Sequence, residues 1–295
     1  MTFRKLLCPV DFSPGSQHAL QVAARMAREA DAELVLVHAW YVPTTAFGGD
    51  YPIPVDLAQE VVDGAQRDLA AARTDATRLG APRVSSRVLR GVPWDQIVQA
   101  AREDPAIDLI VMGTHGRSGL ARVLLGSVAE QVIRHAPCSV LAARAPGGVQ
   151  PFRKVLCPID FSEDSRHALD RAAELAARTG AGITLLHVIE PAATFSNLPM
   201  ADNNLQAIDR RATHELARWA SELENKVSIP VNTEIRIGRP GVQTLAVLDA
   251  DPAFDLVVMG SHGRTGIRRV LLGSVAEKVL RHAACPVLIV RSRGV

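Results

Sequence analysis

A chain of 295 residues exceeds the usual single-domain size of about 100–150 residues and predicts two domains. With 47% hydrophobic and 22% charged residues it has the balance of a globular protein that buries a core without staples, which excludes a disordered chain. Its 33 basic and 31 acidic side chains leave a formal charge of +2, no footprint for nucleic acid, and it lacks the run of about 18 apolar residues needed to span a bilayer.

The first residues, Met1-Thr2-Phe3-Arg4-Lys5, run directly into an apolar strand with no signal-peptide cleavage pattern, so the expected location is the cytoplasm. Strands are predicted near Lys5–Val10, Glu33–Ala39, Arg83–Leu89, Leu109–Met112 and Ser139–Ala142, where short β-branched apolar runs alternate with longer segments of helical period. The first helix opens after Asp11-Phe12-Ser13-Pro14, with Ser13 as cap and Pro14 in the first turn, where its missing N–H costs nothing. The fourth opens at Gly126-Ser127 and runs to Arg134-His135, basic residues that suit the negative end of a helix. Five parallel strands with helices on both faces form a doubly wound α/β domain, whose ligands bind at the carboxyl ends of the strands.

The Pro/Gly-rich stretch Arg144-Ala-Pro-Gly-Gly-Val-Gln-Pro151 reads as a linker, and beyond it the sequence repeats. Lys5-Leu-Leu-Cys-Pro-Val-Asp-Phe-Ser13 returns as Lys154-Val-Leu-Cys-Pro-Ile-Asp-Phe-Ser162. Asp108–Cys138 lies on Asp255–Cys285 without a gap, with 23 of 31 positions identical, so the repeat is a whole domain rather than a solenoid unit. The domains are expected at 1–145 and 152–295, packed together because the linker is short, with the divergence confined to Tyr41–Arg83 and Glu190–Val231. Cys8, Cys138, Cys157 and Cys285 stand singly in apolar surroundings and read as reduced core thiols.

The strongest chemical signal follows the fourth strand: Gly113-Thr-His-Gly116, nine residues, then Gly126-Ser127. The second half has Gly260-Ser-His-Gly263, nine residues, then Gly273-Ser274. Glycine after a buried strand permits a turn with φ > 0 and close approach of a ligand to the main chain. The helix that follows presents free N–H groups and a positive dipole end, an anion site suited to a nucleotide's phosphates. The alternative is that the glycines only shape a turn. Asp11 and Asp160 end the first strand on the same sheet edge, as ligand contacts or as helix caps. Arg117 and Arg264 either reach phosphate or are solvated, and His115 and His262 between the loop glycines do not read as catalytic. His38, His187, His135 and His282 fall on strand or helix ends and read as structural.

The run Met112-Gly-Thr-His-Gly-Arg-Ser-Gly-Leu with Leu125-Gly-Ser-Val-Ala-Glu130, occurring twice, resembles the G-x2-G-x9-G-S/T signature of ATP-binding universal stress proteins. The Pro-Val-Asp-Phe-Ser opening and the closing Cys-Pro-Val-Leu-Ile-Val290 are similar to that family too. The resemblance implies two tandem domains of adenine nucleotide alpha hydrolase-like fold, binding ATP with Mg²⁺. It implies that Asp11 and Asp160 lie near ribose and adenine, that the main chain at Ala39 and Val188 meets adenine, and that Gly113, Gly116, Gly126, Ser127 and Val128, with Gly260, Gly263, Gly273, Ser274 and Val275, form the loop sites. Serine at a helix start serves either its own backbone or a phosphate oxygen.

No G-x-x-x-x-G-K-[ST] loop occurs, so efficient hydrolysis is not indicated and the expectation is a nucleotide-dependent regulator of stress response or growth. The alternatives are a slow ATPase, an adenylating enzyme, against which Asp-Phe-Ser-Pro-Gly15 counts, and an interaction module with structural glycine loops. The apolar last strands, Ser139–Ala142 and Pro286–Val290, invite edge pairing, implying an internal pseudo-dimer, a further homodimer and a regulatory protein partner. Val42–Pro54 and Pro191–Asn203, with Phe47, Tyr51 and Phe195, have the composition of flaps at the sheet edge.

Overall fold

Runs such as Leu6-Leu7-Cys8 and Leu109-Ile110-Val111 have no polar alternation, as expected of strands covered on both faces, and all six side chains are fully buried. The computed structural model describes residues 3–41, 55–114, 125–144, 150–190, 202–263 and 272–291, and the chain divides into two compact units, Met1–Val149 and Gln150–Ser292. The predicted flaps fall mostly outside the described residues.

Unit 1 runs β1 (Lys5–Pro9), α1 (Pro14–Ala30), β2 (Glu33–Trp40), α2 (Val55–Arg78), β3 (Arg83–Arg90), α3 (Pro93–Glu103), β4 (Leu109–Gly113), α4 (Ser127–His135) and β5 (Ser139–Ala143). Its strands are all parallel, in the order β3-β2-β1-β4-β5. Unit 2 repeats the plan with β6 (Lys154–Ile159), α5 (Glu163–Thr179), β7 (Gly182–Ile189), α6 (Asp202–Lys226), β8 (Val231–Ile237), α7 (Pro240–Ala250), β9 (Leu256–Gly260), α8 (Ser274–His282) and β10 (Val287–Val290). Its parallel order is β8-β7-β6-β9-β10. Each unit is therefore the doubly wound α/β domain expected. The chain changes direction across the sheet between β1 and β4, and between β6 and β9, which leaves a crevice at the carboxyl ends of those strands.

Local chemistry fixes the frame. Ser13 caps α1 by accepting from the Ser16 N–H at 3.3 Å, Pro14 occupies the first turn, and Ser162 caps α5 through the Ser165 N–H at 3.2 Å. Asp108 accepts the Arg4 and Lys5 N–H groups at 2.9 and 3.4 Å, tying the start of β4 to β1. Asp255 does the same for Arg153 and Lys154 at 2.7 and 3.1 Å. β3 carries exposed Arg83, Ser85, Arg87 and Arg90, polar cover of the kind that guards a sheet edge. None of the four cysteines forms a disulfide, and burial pushes the Cys8 and Cys157 thiols up to about 12, so both stay protonated. Among the described residues no helix is long and apolar enough to cross a membrane.

Candidate functional site

The site in unit 1 begins where β1 ends. Asp11 follows the strand and Phe12 takes the left-handed conformation, φ 64°, which is costly for a bulky residue and turns the chain sharply into α1. The Phe12 ring lies 4.7 Å from the His38 ring, whose Nδ1 is 2.8 Å from the Val10 carbonyl. Phe161, also at φ 64°, repeats this with His187 at 4.4 Å, and His187 Nδ1 is 2.9 Å from the Ile159 carbonyl. These histidines brace the turn, while His135 and His282 bond the Gln131 and Lys278 carbonyls of their own helices, so all four contact backbone, and His38 also lines the cleft described below.

Asp11 does not cap the helix, because Ser13 does. One Asp11 oxygen, Oδ1, accepts the Ser13 N–H at 3.1 Å and the Ser13 hydroxyl at 2.5 Å. Asp160 is held more fully: its Oδ1 accepts the Ser162 N–H at 3.1 Å, the Ser162 hydroxyl at 2.5 Å and the Ser165 hydroxyl at 2.6 Å. The carboxylates are thus oriented by their own turns.

The glycine loop starts at the end of β4 and returns at α4. The Gly126 N–H donates to the Thr114 carbonyl at 2.7 Å and closes the loop at its base, and the Gly273 N–H donates to Ser261 at 2.8 Å in unit 2. The first helical turn closes through Glu130 N–H to Gly126 carbonyl, 2.9 Å, and no side chain caps α4. The N–H groups of Ser127, Val128 and Ala129 are left as donors at the positive end of the helix. Ser127 and Ser274 are exposed and cap nothing.

The glycines themselves depart from expectation. Neither Gly113 nor Gly260 has positive φ. What each position excludes is a Cβ: at Gly113 it would stand 2.8 Å from the Gly15 carbonyl oxygen, and at Gly260 it would stand 2.8 Å from Asp164 Cβ. The first turn of the helix presses on the strand end, so the missing side chain serves helix-to-strand packing rather than a left-handed turn.

In unit 1, Asp11, Ala39, Gly113, Gly126, Ser127 and Val128 line one cleft of about 810 Å³ at the carboxyl ends of the strands. Val10, Val37, Met112 and Ile97 give it apolar walls, and Asp11, Glu60 and Asp68 are the charged residues among its described lining. In unit 2 the matching positions are Asp160 after β6, Val188 near the end of β7, Gly260 at the end of β9, and Gly273, Ser274 and Val275 at the start of α8. Asp160 and the loop meet there, since a Cβ on Gly263 would lie 2.6 Å from Asp160 Oδ2. Gly116, Arg117, His115 and Arg264 lie outside the described residues.

Three residues of the unit 1 cleft, and Asp164 in unit 2, escaped the sequence reading. Glu60, Gly64 and Asp68 on α2 belong to the stretch where the halves diverge, so no repeat marked them. Asp164 was missed although the sequence holds a signal for it, Glu163-Asp164 standing where the first half has Pro14-Gly15. Its Oδ2 accepts the His262 N–H at 3.0 Å and the Ser261 hydroxyl at 3.2 Å, and lies 3.5 Å from His262 Nδ1. Among the described residues no group of three or more His, Cys, Asp or Glu side chains is placed to hold a metal ion.

Comparison with known proteins bears on the family and the fold. A model of the universal stress protein family matches residues 2–144 and again 151–291. A universal stress protein of Mycobacterium tuberculosis is 32% identical over 241 residues, 80% of this chain and 74% of that protein. Another from the same organism is 28% identical over 302 aligned residues, covering 97% of this chain and 96% of its own length. The crystal structure of a universal stress protein from Archaeoglobus fulgidus superposes with a TM-score of 0.73 at 22% identity, over all of both chains, a likeness of fold.

Proposed function

Because the chain belongs to the universal stress protein family, we propose that it is an ATP-binding regulator of the stress response or of growth, with one nucleotide site in each unit. The observation that carries this reading is the unit 1 cleft. Six residues chosen for a nucleotide line a single cavity, of about 810 Å³, within the range of about 300–1,000 Å³ usual for small-molecule sites. Its parts fit the parts of ATP: uncapped α4 N–H donors for phosphate, the Asp11 carboxylate for hydroxyl or amino donors, and apolar walls at Val10, Val37 and Met112 for a base. Ala39 offers the edge of β2 to adenine, and Val188 the edge of β7 in unit 2.

Arg117, Gly116 and Arg264 stay in the proposed site on the family resemblance. Mg²⁺ would come with the phosphates it neutralises, since the site residues are chiefly backbone donors. A cytoplasmic homodimer read by a regulatory protein partner completes the proposal, on the same resemblance. Light scattering that gives a monomer at every concentration would remove the dimer.

One observation favours a second reading, an interaction module. Gly113 and Gly260 have a packing reason to exist, and the Gly126 and Gly273 N–H groups are spent on closing the loop. Calorimetric titration of nucleotide-stripped protein with ATP and Mg²⁺, with ADP release assayed in the same sample, decides. Two ATP per chain with negligible ADP is expected for the regulator. No binding would favour the interaction module, and turnover abolished by substituting Gly113 and Gly260 together would favour an ATPase.

A further inference from the structure

The loop of unit 2 starts between two carboxylates. Asp160 Oδ2 faces Gly263, and Asp164, reaching from the first turn of α5, holds the His262 N–H at 3.0 Å and the Ser261 hydroxyl at 3.2 Å. The Asp164 side chain is 22% exposed, so its charge acts in a site only partly screened by water. In unit 1 the same place in the first turn of α1 is Gly15, which has no side chain to offer the loop. On the ATP-binding reading the start of this loop offers backbone N–H donors to the phosphates beside those of the following helix, and in unit 2 one of them, at His262, is already engaged by an anion of the protein.

We propose that Asp164 is a built-in competitor for phosphate at the second loop, so that the two units take ATP with unequal affinity and unit 1 fills first. The inference rests on the ATP-binding reading above and adds an order to it. Two effects act in the same direction. ATP must replace the carboxylate at the His262 N–H, and it must do so against the repulsion of a like charge within a few ångströms. The first effect alone corresponds to about tenfold or more in affinity, the size of one charge-assisted hydrogen bond.

The test is calorimetric titration of the full chain with ATP and Mg²⁺, comparing wild type with Asp164→Gly, Asp164→Asn and Gly15→Asp. Wild type should bind in two steps whose Kd values differ by about tenfold or more. Asp164→Gly should merge them by strengthening the weak step, and Asp164→Asn, which keeps an acceptor but loses the charge, should recover part of the gap. Gly15→Asp should weaken the strong step. Equal steps in wild type, or a weak step unmoved by both Asp164 variants, would overturn the competitor. Hydrogen exchange at the His262 amide without ligand separates this failure from that of the parent reading. Faster exchange in Asp164→Gly is expected, and unchanged exchange overturns the competitor even if ATP binds. Faster exchange with no ATP bound by any variant would instead sink the nucleotide reading, and the competition with it.

Discussion

The two units share a backbone plan and differ in what they place beside it. Both bend after β1 or β6 with a phenylalanine at φ 64°, both brace that bend with a histidine, and both close the glycine loop with one hydrogen bond at its base. The side chains around these features have changed. α1 has no acid in its first turn, whereas α5 has Glu163 and Asp164. α6 places Trp219 beside its bend, the ring meeting Phe161 edge-on at 5.5 Å and lying 4.1 Å below the Arg166 guanidinium. Arg166 is also paired with Glu222 at 2.7 Å. Duplication thus preserved the turn geometry, which only a few residue types satisfy, and left free the positions that tune size and charge.

The largest expected effect breaks the comparison at Trp219. It is 4% exposed, so Trp219→Ala removes a buried ring from under Phe161 and Arg166 and should cost about 3–5 kcal/mol, read by chemical denaturation as earlier unfolding of unit 2. A loss below about 1 kcal/mol would mean that Trp219 only covers the surface. Next come the strand-end glycines, where the units should behave alike. Gly113→Ala and Gly260→Ala each push a methyl to within 2.8 Å of the neighbouring helix turn and should cost about 1–3 kcal/mol whether or not ATP is present. Variants that keep full stability and lose only ATP binding would assign those glycines to the ligand instead.

The smallest effect concerns acid. Lys5 lies 2.9 Å from Asp104 and 3.0 Å from Glu33, while in unit 2 Lys154 pairs with Asp251 and faces Gly182 in place of Glu33. The hydrogen bond from Lys5 holds the Asp104 carboxyl below its usual range, and Lys154 does the same to Asp251. A depressed carboxyl contributes stability that is present above its unfolded value of about 3.9 and is lost as pH falls through the folded value. Asp104→Asn should therefore flatten the acid limb of a stability-pH curve, by no more than about 1 kcal/mol because the pair is partly exposed. An unchanged acid limb would show that solvent screens the pair completely.

Much of the fold was legible because its signals are local. The predicted strand near Lys5–Val10 is observed at Lys5–Pro9, the Ser13 cap and Pro14 start appear as read, and the fourth helix covers Ser127–His135. The repeat then transferred the strand, the serine cap and the fourth helix to unit 2, where Glu163 stands in place of Pro14. The reason for Gly113 was not legible, because its constraint comes from Gly15, a contact about a hundred residues distant in sequence that only the folded sheet creates. Glu60 and Asp68 were missed for the opposite reason. They lie in the stretch where the halves share no pattern, and an acid on a helix reads as solvated until a cleft is found beside it.

The hydrogen bond from Gly126 to Thr114 joins the end of β4 to the start of α4 at the base of the loop. Since the ends are already pinned, doubling the length of the intervening chain adds only about 0.6 kcal/mol of closure entropy. Closure entropy alone therefore leaves the sheet little affected by an insertion between these ends. Foreign sequence spliced there, a reporter peptide or a second sensing module, should leave the parallel sheet intact while standing beside the cleft, and the duplicate junction at Ser261 and Gly273 offers the same opening twice in one chain.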